Sequence, residues 1–148
     1  MATNDPRNIL ILCTGNSARS IMAEAYVNHA GRGRWLAYSA GSQPTGRVNP
    51  LALEALAAAG ISAPPDPRSK SWDEFSGPAA RQLDVIVTVC DAAANEVCPH
   101  FPGTARRVHL SFPDPAAATG TKAERLAAFV TTLAAMRPHL DKLMATAG

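Results

Sequence analysis

The chain has 148 residues, enough for one domain around one buried core. Its 14 lysines and arginines against 12 aspartates and glutamates give a formal net charge of +2, which leaves no electrostatic case for binding nucleic acid or a membrane surface. The apolar runs are far too short to span a bilayer, and Met1–Arg7 lacks the charged start and long apolar stretch of a signal peptide, so a cytoplasmic protein is expected.

Asn8 to Cys13 is a continuous apolar run, the pattern of a strand buried on both faces. Residues 20 to 30 follow with Ile21, Met22, Ala25 and Tyr26 at helical spacing, and Gly31-Arg32-Gly33 reads as the helix stop. Trp35 to Ala40 predicts a second strand. Asn49-Pro50 is a helix start, an N-cap followed by proline at the first helical position, and that helix runs through Leu53 and Leu56 to a stop near Gly60. Three prolines make residues 62 to 71 a loop, and Ser71 to Phe75 fits a short helix. Asp84 to Cys90 is the clearest strand, and Arg106 to Leu110 is a candidate fourth. Thr121 to Glu124 is a capping box that opens a long helix. Its apolar stripe is Leu126, Phe129, Val130, Leu133, Met136 and Leu140, and Pro138 is expected to kink or interrupt it. No repeat or linker divides the chain, so residues 1–148 are expected to form a single catalytic domain.

Strands alternating with helices predict an α/β fold, a three-layer sandwich with a four-stranded parallel sheet. Ligands of such folds sit beyond the carboxyl ends of the strands. Two of the three cysteines, Cys13 and Cys90, fall at such ends. Three is an odd number and too few for a disulfide framework, so the thiols are reactive groups or small buried hydrophobes.

The segment after the first strand is Cys13-Thr14-Gly15-Asn16-Ser17-Ala18-Arg19-Ser20: a cysteine, five residues, then Arg-Ser, between a strand and a helix. Thr14, Gly15, Asn16, Ser17 and Ala18 are small enough for the backbone to curl and aim its N–H groups at one point. The helix start adds its dipole and its free N–H groups. Arg19 offers a planar fork for two oxygens of a tetrahedral oxyanion, with Cys13 beneath the central atom. The same field lowers a thiol pKa from about 8.5 into the range of roughly 3.5–7.5. Ser20 is placed to donate a hydrogen bond to the sulfur. No Gly-Lys-Ser/Thr follows, so this is not a nucleotide-binding P-loop. A buried cysteine in a tight turn is the bland alternative.

Asp114, between Pro113 and Pro115, is a candidate general acid beside that site, although an Asx turn next to proline would account for it equally. Cys90, Cys98 and His100 lack a fourth ligand and the close cysteine spacing of a zinc site, so no metal is expected, and nothing in the sequence calls for a cofactor. His29, His109 and His139 fall in helix or strand patterns and read as surface or packing residues.

Residues Cys13 to Glu24 resemble the phosphate-binding loop of the low-molecular-weight protein tyrosine phosphatase superfamily, and more narrowly the arsenate reductases of that fold. Tyr38-Ser-Ala-Gly41, Val48-Asn-Pro50, Val87-Thr-Val-Cys90 and Pro113-Asp-Pro115 extend the resemblance over most of the chain. The resemblance makes Asp114 the general acid. Phosphatases of this family usually carry aromatic residues after the Asp-Pro, where this chain has Ala116, Ala117 and Ala118. That favours a small inorganic substrate: arsenate, with phosphate and sulfate as analogues.

The resemblance further implies an order of thiol chemistry. Cys13 attacks arsenic, Cys90 attacks Cys13 to release arsenite, and Cys98 attacks Cys90. Cys90 would neighbour Cys13 if the third strand pairs with the first. An external thiol then regenerates the enzyme, either thioredoxin or glutathione with glutaredoxin. Asn16 would shape the loop and Glu24 would help fix it. Two other readings remain open at this point. A phosphomonoester phosphatase needs only Cys13, Arg19 and Asp114. A non-catalytic oxyanion-binding redox sensor would need none of the chemistry.

Overall fold

The computed structural model describes residues 7–15, 18–63, 69–75, 83–89 and 106–147. The expectations for Asn16, Ser17, Cys90, Cys98 and His100 lie outside the described residues.

The described elements are β1 (Arg7–Leu12), α1 (Arg19–Ala30), β2 (Trp35–Ala40), α2 (Pro50–Ala58), a 3-10 turn at Trp72–Phe75, β3 (Val85–Thr88), β4 (Arg106–His109), a second 3-10 turn at Pro115–Ala117 and α3 (Lys122–Ala147). The four strands form one parallel sheet in the order β2-β1-β3-β4. Leu12 stands level with Ala40 on one side and Thr88 on the other. The chain leaves β1 toward β2 and later returns to the opposite side for β3 and β4. The topological switch therefore lies between β1 and β3, where α/β folds place their ligands.

The alternation of β1 divides the core. Ile9 and Ile11 face a cluster with Val85, Val87, Met22, Tyr26, Leu56, Phe129, Leu133, Met136 and Leu140, to which α1, α2 and α3 contribute. Leu10 and Leu12 face a second cluster with Ala40, Ile86, Leu83 and Trp72. β1 is central and buried on both faces, hence its unbroken apolar run. The outer edge of β2 is occupied by the Asn28 side chain, which donates to Ala37 O and accepts from Ala37 N at 3.2 and 2.9 Å. An edge satisfied this way is closed to another strand.

Local signals account for the helix boundaries. Asn49 Oδ1 accepts from Leu51 N at 2.9 Å with Pro50 opening α2. Glu124 N donates to Thr121 Oγ1 while Thr121 N donates to Glu124 Oε1, at 3.1 and 3.2 Å, which is the capping box of α3. Two expectations for α3 need correction. Val130 is exposed, not on the stripe, because it lies about 100° around the helix from Phe129. The buried arc instead takes in Thr132, whose Oγ1 donates to Ala128 O, and continues to Leu143 and Met144. Of the two outcomes expected at Pro138, a kink or an interruption, the interruption does not occur, since one helix runs on to Ala147. The packing of Leu140, Leu143 and Met144 beyond it offsets the missing N–H. Smaller differences concern ends: β1 begins one residue earlier than expected and stops at Leu12, β3 is Val85–Thr88 and β4 stops at His109. Asp84 fixes the start of β3 by accepting from Asn8 N at 2.7 Å.

Candidate active site

Cys13 follows the last residue of β1 and is 5% exposed, at the carboxyl end of the central strand. Its N–H donates to Ala40 O at 3.1 Å, so the cysteine is still held in the ladder with β2. The next two carbonyls are drawn outward. Gln43 N donates to Thr14 O and Thr45 N to Gly15 O, each at 3.0 Å, and Ser69 Oγ donates to Gly15 O at 2.9 Å. Carbonyls held on the outside leave that stretch of backbone free to turn its N–H groups inward.

Gly41 is what allows this closeness. A Cβ on Gly41 would stand 2.3 Å from Thr14 O and 2.5 Å from Cys13 O, so no side chain fits between the end of β2 and the loop. Gly41 N donates to Lys70 O, and Trp72 N to Gly41 O, both at 2.9 Å, which binds the segment before the first 3-10 turn to the same place.

α1 opens at Arg19 with Ala18 as N-cap residue, and no side chain caps it. Its first turn holds no acidic residue, so its N-terminal field is available to an anion. Arg19 points across to the chain beyond β4. Its Nη1 donates to Phe112 O at 2.8 Å, and its Nη2 stands 3.9 Å from Asp114 Oδ2, with the two side chains 16% and 48% exposed. Asp114 uses its other oxygen locally, accepting from Ala116 N at 2.9 Å to cap the second 3-10 turn. The Asx turn and the placement beside Arg19 thus coexist: one carboxylate oxygen is fixed by backbone, and the other faces the guanidinium. Phe112 anchors this segment in the core, with its ring edge-on to His139 of α3 at 5.7 Å.

Glu24 sits on α1 five residues beyond Arg19. It accepts a short hydrogen bond from Ser39 Oγ, and Lys70 Nζ lies 3.9 Å from its Oε1 and 3.4 Å from Ser39 Oγ. Ser39 is fully buried, and the Glu24 and Lys70 side chains are close to it in burial. Of the expected site residues, Cys13, Thr14, Gly15, Ala18, Arg19, Ser20 and Asp114 are described and gather at this end of the sheet, with Ser20 fully buried. Sequence reasoning did not find Lys70, Ser69, Gln43, Thr45 or the Phe112 carbonyl. The only signal nearby was the run Ser39-Ala-Gly41. His29 is exposed in the last turn of α1, and His109 pairs with Thr88 Oγ1 at 2.7 Å on the edge strand.

These features define an α/β protein with a cysteine at the end of its central strand and an arginine at the start of the following helix, at the switch point of a parallel sheet. The sequence profile of the low molecular weight phosphotyrosine protein phosphatase family matches residues 8–146, and the chain belongs to that family. It is 41% identical over 121 residues to an arsenate reductase of Halalkalibacterium halodurans, covering 82% of this chain and 83% of the relative. It is 39% identical over the same length to an arsenate reductase of Bacillus subtilis, with the same coverage of each. Among solved structures, the arsenate reductase of Archaeoglobus fulgidus superposes with a TM-score of 0.70 at 28% identity, over 93% of this chain and 98% of that one.

Proposed function

We propose that this chain is a single-domain arsenate reductase. The observation that carries the reading is the pairing of β1 with β3. Val89 N donates to Leu12 O at 3.0 Å, so the residue before Cys90 in the sequence stands beside the residue before Cys13. A cascade between those two thiols needs such neighbouring strand ends. The relatives named arsenate reductase support the substrate.

In this reading the loop of residues 14 to 19 and Arg19 bind arsenate. The Cys13 thiolate forms a bond to arsenic while Asp114 protonates the departing oxygen, which leaves as water. Cys90 then attacks the Cys13 sulfur. The S–S bond forms, the S–As bond breaks, and its electron pair reduces arsenic from the +5 to the +3 state, releasing arsenite. Cys98 attacks Cys90, which frees the Cys13 thiolate and leaves a Cys90–Cys98 disulfide. Two electrons from an external dithiol of the thioredoxin class, or from glutathione with glutaredoxin, restore the starting state.

Arsenite production measured with each reductant in turn tests both parts. Cys13→Ser is expected to abolish it. Cys90→Ser and Cys98→Ser are expected to abolish multiple turnover with either reductant. Hydrolysis of a phosphomonoester, the activity in the family's description, needs only Cys13, Arg19 and Asp114. Any such activity should therefore survive Cys90→Ser and Cys98→Ser. Parallel loss of both activities would refute the cascade.

A further inference from the structure

The Glu24–Ser39–Lys70 cluster sits on the β2 side of the candidate anion site. Glu24 is a carboxylate on α1 five residues beyond Arg19, with its side chain only 12% exposed. A negative charge so placed opposes both an oxyanion and a thiolate at Cys13. Lys70 Nζ, on a side chain 10% exposed, lies 3.9 Å from that carboxylate and 3.4 Å from the Ser39 hydroxyl that bridges the two. The backbone of Lys70 is joined to the loop as well. Its carbonyl accepts from Gly41 N, Gly41 backs the Cys13 and Thr14 carbonyls, and the preceding Ser69 donates to Gly15 O.

We infer that Lys70 is a positioning residue whose ammonium offsets the charge of Glu24, keeping the field at Cys13 positive while Glu24 and Ser39 hold the ammonium in place. Among the described residues, the charged pair on the opposite flank is Arg19 on α1 with Asp114 after β4, 3.9 Å apart. Those two carry opposite charge and stand together, so the balance on the β2 side bears directly on the thiol. Lys70 therefore does two things from one place. Its carbonyl holds Gly41, which packs against the loop, and its side chain offsets the Glu24 charge. The inference rests on the reading of Cys13 as an anion-site thiolate.

The test reads the Cys13 thiol itself. Its alkylation rate is followed by peptide mass against pH in the full chain, together with the affinity for phosphate. Unit charges about 10 Å apart at an effective dielectric of about 20 shift a pKa by about one unit. Lys70→Met is expected to raise the Cys13 pKa by about that much and to weaken phosphate by about tenfold. Glu24→Gln, which leaves the ammonium, is expected to move the pKa the opposite way. Lys70→Met with Glu24→Gln should return it toward the wild-type value, and Lys70→Arg should leave it near that value. A purely structural cluster would move both single variants in the same direction and make the double variant worse than either. That pattern, or an unchanged Cys13 pKa in both singles, overturns the inference. A wild-type Cys13 that titrates as an ordinary thiol, unprotected by phosphate, overturns the anion-site reading itself and the inference with it.

Discussion

The two flanks of the Cys13 loop are built differently. On the β2 side it is laced by backbone and buried polar contacts: Gln43 and Thr45 N–H groups, the Ser69 hydroxyl, the close approach at Gly41, and the Glu24–Ser39–Lys70 cluster. On the β4 side, among the described residues, the Arg19 guanidinium spans the gap to the Phe112 carbonyl and to an Asp114 that is 48% exposed. Packed polar networks resist deformation, whereas a half-exposed carboxylate keeps access to water and to a proton. The difference separates two tasks. Under the proposed function, the β2 side would fix the shape of an anion cradle, and the β4 side would present a proton donor at its mouth. Disturbing the β2 side should therefore change anion affinity, and disturbing the β4 side should change turnover.

The largest effect is expected on the β4 side. Asp114→Asn keeps the Asx turn with Ala116 but cannot deliver a proton. Turnover of arsenate should fall by about a hundred- to ten-thousandfold. Phosphate affinity should not fall, because a negative charge beside Arg19 has been removed. Steady-state kinetics beside a phosphate titration check both halves. A loss of affinity equal to the loss of turnover would erase the distinction between the flanks.

Gly41→Ala is the corresponding break on the β2 side. The added methyl meets backbone oxygens, not a movable side chain, so the loop or the end of β2 must shift. Overpacking of this kind costs about 1–3 kcal/mol. The expected outcome is a lower Tm and phosphate binding weakened by about tenfold or more, roughly the ratio that about 1.4 kcal/mol represents. Unchanged phosphate affinity in a destabilised Gly41→Ala protein would show that the close approach serves the fold alone.

The two flanks also differ in how far they can be read from sequence. What depends on neighbours along the chain is legible. The apolar run of β1, the Asn49 cap, the Thr121–Glu124 box and the Cys13–Arg19 loop each carry a short-range signal with a physical cause. The Asp114 position is legible as an Asx turn, and only its pairing with Arg19, across 95 positions read from the residue numbers, needed the structure. The β2 flank is almost silent. Ser69 reaches Gly15 across 54 positions and Lys70 reaches Ser39 across 31, from a segment that composition marks only as a loop. No periodicity encodes such contacts. Val130 is hard to place for another reason. An apolar residue next to a buried one fits the stripe by type, although about 100° of rotation carries it off the face.

Ser69→Ala is the smallest change that still tests the comparison. It deletes one hydroxyl that donates to Gly15 O at 2.9 Å and leaves every backbone bond of the flank in place. A neutral hydrogen bond of this kind contributes about 1 kcal/mol. If that contribution goes to the fold in general, the variant loses Tm and binds phosphate as before. If it goes to the shape of the cradle, phosphate binding weakens by about fivefold, with little change in Tm because Thr45 N still holds the same carbonyl. The second outcome is expected, since Gly15 O has two donors and the loss of one tilts the peptide without releasing it. Turnover at saturating arsenate should stay near the wild-type rate, because the Arg19–Phe112–Asp114 side is untouched. A drop in saturated turnover with unaltered phosphate affinity would mean that the two flanks move as one body and that their tasks are not separable.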